Sequence, residues 1–377
     1  MNYEGRGQRL RQIMGEKQID VCLIWDPDNQ YYFSGFRAIS YSRPIVYLVC
    51  KDQTDLIVPA LEELHAAEKA RGSHIHVYYE QIEMAHKESS YRDHLDKLLA
   101  RYPKGARLGV EMNSLSAGMF LYLQKKGFEL ADIGLFIMEM RFIKDSDEIA
   151  LLKVAGQLSD YAVAESLSHA RVGISELELD AYGDKLLLEM ASDLYENDII
   201  GYENWTCSGP NSVKPHLYSS TRKFEPGDVV IHSRQVWFNG YRAENERTFI
   251  VGKPTEKQKD LFKLAVEAQR VGMEMIKPGI AAREVDLAAY EVFKKAGYGE
   301  YVNHRIGHGL GLTEHEEPYL RFDNSLVLQE GMVFTIEPGV YVPGVGGFRH
   351  SDTVILTKEG SFSITQHTRN VEDLIFQ

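Results

Sequence analysis

Residues 304–318 read His304-Arg-Ile-Gly-His308-Gly-Leu-Gly-Leu-Thr-Glu-His315-Glu-Glu-Pro318, and residues 331–341 read Gly331-Met-Val-Phe-Thr-Ile-Glu337-Pro-Gly-Val-Tyr341. Both stretches set histidines and carboxylates into glycine-rich or apolar sequence. A charge inside an apolar strand is costly unless it is paired, ligated or catalytic. Glu337, flanked by Phe334, Ile336 and Val340, is the clearest such case. Gly309 and Gly311 permit close backbone approach. Two more segments add polar groups to strand patterns: Pro215-His216, and Gly240-Tyr-Arg-Ala-Glu244-Asn-Glu246-Arg247-Thr248. Glu244 and Glu246 share one strand face by the period of two. Singly, each has a plain reading. His308 alone reads as a hydrogen-bonded structural histidine, and the two glutamates as a solvated edge paired with Arg242 or Arg247. Together they read as one buried polar site.

The sequence before these segments divides in two. The first third alternates strand and helix: an early helix to Gln18, strands over 21–24, 45–49 and 55–58, a turn at Pro103-Lys104-Gly105, a strand over 107–110 and a helix over 117–125. That pattern predicts an α/β domain over 1–143, closed by the charged stretch 140–147. From Ser146, Ile149, Leu152, Ala155, Leu158 and Ala162 recur at helical spacing and predict a long helix to about Ala170. It opens an α+β domain over 144–377. Within this domain Gly173-Ile-Ser-Glu-Leu-Glu-Leu opens one helix, with Ser175 and Glu178 spaced as a capping box, and Pro278-Gly-Ile-Ala-Ala-Arg-Glu-Val opens another. Aligning Gly173 on Gly279 brings Glu178 onto Glu284 and suggests two halves related by a pseudo-twofold, with a site between them. Pro343-Gly-Val-Gly-Gly reads as a hairpin turn; it lacks the lysine and following helix of a phosphate loop. Trp205 and Trp237 read as core or rim aromatics.

Composition narrows the function. Lys+Arg 42 against Asp+Glu 55 leave a net charge of −13, which disfavours a nucleic acid or an anionic membrane surface as partner. No apolar run approaches the roughly 20 residues that span a bilayer. Residues 1–11 are polar, unlike a secretory signal. Cys22, Cys50 and Cys207 are an odd, scattered set, so a disulfide framework is not expected and a cytoplasmic setting is.

The motifs at 307–318 and 331–341, followed by Gly346-Gly-Phe-Arg349, resemble the pita-bread hydrolases: prolidase, aminopeptidase P and creatinase. Met140-Arg-Phe-Ile-Lys-Asp-Ser-Asp-Glu-Ile resembles the entry into their catalytic domain, so the resemblance covers nearly the whole chain. It implies an α/β N-terminal domain, a pita-bread C-terminal domain with an internal pseudo-twofold, and a homodimer. The peptidase members hold two divalent metals with two Asp, one His and two Glu. Counting from Gly227-Asp228, those positions fall on Ser233, Glu244, His308, Glu337 and Ser351. A serine hydroxyl is a poor neutral ligand for a hard cation, so a two-metal site is not expected.

Creatinase is the branch that works without metal. By resemblance, His216 takes the place of its catalytic base, His308 of its second histidine, and Glu246 and Glu337 of its substrate-binding glutamates. Tyr41 and Arg43, following Ser34-Gly35, resemble the stretch that binds the substrate carboxylate, and Arg321 lies near the position of its second carboxylate-binding arginine. Three carboxylates left without metal would require a cation, and a guanidinium or amidinium bridged by them fits. The reading is therefore a metal-independent, cofactor-free C–N hydrolase of a small amidine- or guanidine-bearing carboxylate, creatine-like or ectoine-like. His216, His308, Glu246 and Glu337 are catalytic in that reading, and Glu244, His315, Tyr41, Arg43 and Arg321 bind substrate. The alternative is a prolidase-like Xaa-Pro dipeptidase with one divalent ion, Mn, Zn or Co, on Glu244, His308 and Glu337. A third reading is a non-catalytic binding protein derived from a peptidase.

Overall fold

The computed structural model describes residues 1–84, 86–195 and 198–377, which form two compact units, Met1–Met140 and Arg141–Gln377. The sequence places the division after residue 143. No helix among the described residues is long and apolar enough to cross a membrane. Cys22, Cys50 and Cys207 are free and buried.

The first unit is built on a mixed sheet of β1 (Val21–Ile24), β2 (Val46–Val49), β3 (Thr54–Pro59), β4 (His74–Tyr78), β5 (Arg107–Val110) and β6 (Glu129–Asp132), in the order β4-β3-β2-β1-β5-β6. The strands over 21–24 and 107–110 end where their apolar runs end. β1 pairs β5 in parallel and β2 antiparallel. Its continuous apolar run is what a strand buried on both faces requires.

The second unit carries a longer sheet: β7 (Ile200–Ser208), β8 (Val229–Phe238), β9 (Tyr241–Val251), β10 (Gly307–Gly309), β11 (Glu316–Leu320), β12 (Val333–Ile336) and, after a separate hairpin of β13 (Gly339–Val342) and β14 (Gly346–Arg349), β15 (Ser351–Thr357). The order is β11-β10-β12-β15-β9-β8-β7. The helix Ser146–Ser168 packs on β8 and β9, and the helix Glu256–Met275 packs on β12, β13 and β14.

The internal echo is visible in the backbone. Gly173 and Gly279 adopt φ of 89° and 90°, and each donates its N–H over 2.9 Å, to Phe224 and Leu328 respectively. Two isolated bridges follow at matched positions, Ser175 with Lys223 and Ala281 with Val327. The helix caps differ. Ser175 and Glu178 close a full capping box, whereas Ala281 has no side-chain oxygen and Glu284 alone reaches back to its N–H at 3.4 Å.

β9 sets the geometry of the unit. Glu244 and Glu246 project from one face; Asn245 and Arg247 project from the other, where Asn245 bonds Asp160 at 2.6 Å and Arg247 pairs with Asp352 at 2.8 Å. Both faces are buried, so every polar side chain on the strand requires a partner.

Candidate active site

Strand register assembles the site. Opposite Glu244 on β8 stands Gln235, and opposite Glu246 stand Ser233 on β8 and Ser351 on β15. β10 brings His308 in from the other side. Its flanking glycines are forced: a Cβ on Gly307 would lie 2.0 Å from the Thr335 carbonyl oxygen, and one on Gly309 would lie 2.6 Å from that of Glu317. At Gly311 a Cβ would press on the Glu316 carboxylate at 2.8 Å. β12 ends one residue before Glu337, whose N–H donates to Ile306 at 2.6 Å. Glu337 therefore stands just past the strand rather than within it.

Glu244, His308 and Glu337 converge, with one ligand atom from each within 4.8 Å of the others. His308 donates Nδ1–H to the Gly309 carbonyl at 2.9 Å, which turns Nε2 toward the carboxylates. Nε2 lies 3.2 Å from Oε1 of Glu337, with no well-aligned hydrogen bond to satisfy it. Burial raises the Glu244 carboxyl to about 7, reinforced by the Glu337 charge, although Ser351 donates to its Oε1 at 2.5 Å and Gln235 to its Oε2 at 2.7 Å. Burial alone would raise Glu337 too, but the close approach and charge of His308, with the charge of Arg349, hold it below the ordinary range. Burial opposes the charged form of His308, and Glu337 and Glu244 together raise it nonetheless.

Glu246 departs from expectation. Its carboxylate is gripped by both Nε and Nη2 of Arg349, with both side chains buried. Arg349 also donates from Nη1 to the Tyr341 hydroxyl at 3.4 Å and from Nη2 to the Pro215 carbonyl at 3.5 Å. Tyr341 in turn donates to Nε2 of His304 at 2.8 Å, and His304 spends Nδ1–H on the Arg305 carbonyl at 2.7 Å. Burial lowers His304 to about 4, so the ring is neutral. The three carboxylates are thus not left without a cation, because the chain supplies a guanidinium of its own. Arg349, Tyr341, His304 and Gln235 are the site neighbours that the sequence reading did not assign. Arg349, Tyr341 and His304 stood inside the quoted motifs without a role, and nothing in the sequence pointed to Gln235.

His315 stacks on His308, with ring centroids 3.8 Å apart at 21°. Its Nδ1 accepts from Nη2 of Arg305 at 3.3 Å, which places its proton on Nε2. Burial and the His308 charge lower it to about 4. His216 is exposed, next to the Pro215 carbonyl that Arg349 contacts, and its charge is felt by His304 and His315. Arg321 is paired with Asp323 at the surface and lines a cavity of about 650 Å³ with His304, Arg305 and Phe322. In the first unit Tyr41 is 89% exposed, and Arg43 pairs with Glu80 at 2.6 Å.

The donor set fits one divalent cation. A buried imidazole nitrogen without a hydrogen-bond partner and two carboxylates within reach suit Zn, Mn or Co. It does not fit two. The Ser233 hydroxyl is buried without a partner, that of Ser351 is spent on Glu244, and Glu246 is taken by Arg349.

Comparison with known proteins agrees with this chemistry. The metallopeptidase family M24 matches residues 150–358, and the creatinase/prolidase N-terminal domain matches residues 6–143. An Xaa-Pro dipeptidase of Pyrococcus horikoshii is 33% identical over 370 residues, 97% of each chain. Among solved structures, recombinant prolidase from Thermococcus sibiricus superposes with a TM-score of 0.89 at 31% identity, and the Xaa-Pro dipeptidase from Bacillus anthracis with 0.88 at 29%, each covering 100% of both chains. The fold is that of the pita-bread hydrolases, as the motifs implied.

These relatives overturn the expected metal-free hydrolysis of an amidine or guanidine. They are named as Xaa-Pro dipeptidases across nearly the whole chain. The expectation of no cofactor falls with it, since the family is one of metallopeptidases and three residues able to hold a metal converge. Glu246 had suggested a carboxylate waiting for a cationic substrate; the cation it holds is Arg349.

Proposed function

The chain belongs to metallopeptidase family M24, the pita-bread hydrolases, and from that premise we propose that it is a metal-dependent dipeptidase that cleaves Xaa-Pro substrates. The observation that carries the proposal is the convergence of Glu244, His308 and Glu337 in a chain 33% identical to Xaa-Pro dipeptidases over its length. These three residues would hold one divalent ion, which when bound polarises the scissile carbonyl and acidifies a water.

The remaining chemistry belongs to the protein. Glu337, held ionised, accepts the proton of the attacking water as general base. Ser351 and Gln235 fix the Glu244 carboxylate by donating to one oxygen each. His315, with its proton on Nε2, offers a neutral donor to the oxygen that gains charge in the transition state. A prolyl nitrogen carries no hydrogen before cleavage and must gain one to leave. His216, exposed next to Pro215, is the residue we assign to supply it. Arg305, beside the cavity, offers a cation to a substrate carboxylate, while Arg321 on the same cavity is paired with Asp323.

The test is hydrolysis of Ala-Pro, Leu-Pro and Met-Pro by purified protein stripped with EDTA and reloaded with Mn, Co or Zn. Cleavage absent from the stripped protein and restored by metal is expected. No cleavage of any Xaa-Pro dipeptide with any of the three metals would sink the proposal.

A further inference from the structure

Register places Glu203 of β7, Gln235 of β8 and Glu244 of β9 in one row across three neighbouring strands, and residues paired in this way project from the same face of a sheet. Gln235 is 1% exposed and commits its amide nitrogen to Glu244 at 2.7 Å, yet its Oε1 has no hydrogen-bond partner. A buried acceptor left empty is costly and marks a place for a donor from outside the chain. At the far end of the row Glu203 lies against Glu314, the residue before His315. Both side chains are about half exposed, and Arg242 approaches both, its Nη1 3.5 Å from Glu314 and 3.9 Å from Glu203. Arg242 stacks over Trp237 at 4.3 Å, and neither its Nε nor its Nη1 makes a hydrogen bond. Burial and the adjoining Glu314 carboxylate raise the Glu203 carboxyl. Two carboxylates facing one guanidinium leave one negative charge over, so the corner matches a single further positive charge.

We propose that this corner is the pocket for the Xaa side chain and that it selects a basic one: Glu203 and Glu314 take the side-chain cation, and Gln235 Oε1 accepts from the substrate α-amino group. The proposal rests on the dipeptidase reading. Reach separates the two roles. Adjacent strands lie about 4.8 Å apart, so Glu203 stands roughly 10 Å from Glu244 along the row and Gln235 half as far. With the scissile carbonyl at Glu244, the α-amino nitrogen, one bond from its Cα, reaches Gln235 but not the acid pair. The four-carbon stem of a lysine covers the longer distance and leaves its ammonium at the half-exposed end of the row. Trp237, on the same face, offers an apolar wall on the way.

The experiment measures kcat/KM of the Mn²⁺-loaded full chain for Lys-Pro, Met-Pro and Nε-acetyl-Lys-Pro, which keeps the length of lysine and removes its charge. Lys-Pro is expected to exceed both others at least about 5-fold at low ionic strength, and the gap is expected to shrink in about 1 M NaCl. Glu203→Gln and Glu314→Gln are each expected to bring the ratio of Lys-Pro to Met-Pro toward one. Glu203→Lys is expected to invert the preference in favour of Glu-Pro. Cleavage of Met-Pro with Lys-Pro no better overturns the inference and leaves the dipeptidase reading standing. So does equal cleavage of Lys-Pro and Nε-acetyl-Lys-Pro, which would assign the gain to length, or an unchanged ratio in a folded Glu203→Gln. No cleavage of any Xaa-Pro dipeptide overturns the dipeptidase reading and the inference with it. The wild-type comparison decides the matter even if a variant does not fold.

Discussion

His308 is suited to a ligand's role because its other nitrogen is already committed. The Nδ1–H bond to Gly309 fixes the tautomer, and burial keeps water from competing for Nε2. Replacing His308 by Ala removes the neutral nitrogen and leaves Glu244 and Glu337 facing each other across a void. Mn²⁺ affinity, by titration calorimetry, and Xaa-Pro hydrolysis are each expected to fall at least about 100-fold. A variant retaining metal and rate would show that the imidazole is structural. The converging residues were legible in the sequence as candidates, because a lone acid in an apolar run and a histidine between glycines are local anomalies. The partner of Glu246 was not. Arg349 lies 103 residues away, and nothing local distinguishes an acid awaiting a substrate from one already paired.

At the scale of the element, the short β10 is held by closeness. Gly307 and Gly309 let it thread between β11 and β12 where any side chain would strike a carbonyl. Gly307→Ala must push β10 away from Thr335 and displace His308. The expected cost is about 1–3 kcal/mol in denaturant unfolding, with a parallel loss of metal affinity. Wild-type stability in that variant would mean the strand has slack that the 2.0 Å approach denies. The strands over 21–24 and 107–110 and the Ser175 cap could be read from sequence because each depends on residues a few positions apart. The pairing of Ser351 with Glu246 could not, since register between distant strands leaves no trace in either one.

In the second unit as a whole, Glu316 ties the unit's first residues to the loop before β11. Its buried carboxylate accepts from the N–H groups of Leu312 and Thr313 and from Arg141, with Lys144 at 3.6 Å. Burial works against its charge, but the two cations and the N–H bonds prevail and lower it from 4.5 to about 2. A carboxyl depressed in the folded state stabilises above its unfolded value and loses that contribution as pH falls toward its folded value. Here the window runs from 4.5 down to about 2, and the contribution is on the order of 3 kcal/mol. Urea unfolding of the wild type and Glu316→Gln should show a gap at pH 6 that closes through that window. A gap independent of pH would remove the carboxylate from the account.

The two-faced β9 has a consequence for how the chain finds its native state. A slip of one residue would turn Glu244 and Glu246 away and swing Asn245 and Arg247 inward. Arg247 would then meet Arg349, and Asp352 would lose the buried one of its two arginines, keeping only Arg369. Most sheets proofread alignment by keeping oil from water, a criterion with little force for a strand enclosed on both sides. This one is checked by the sign of its charges, so misalignment is punished by repulsion.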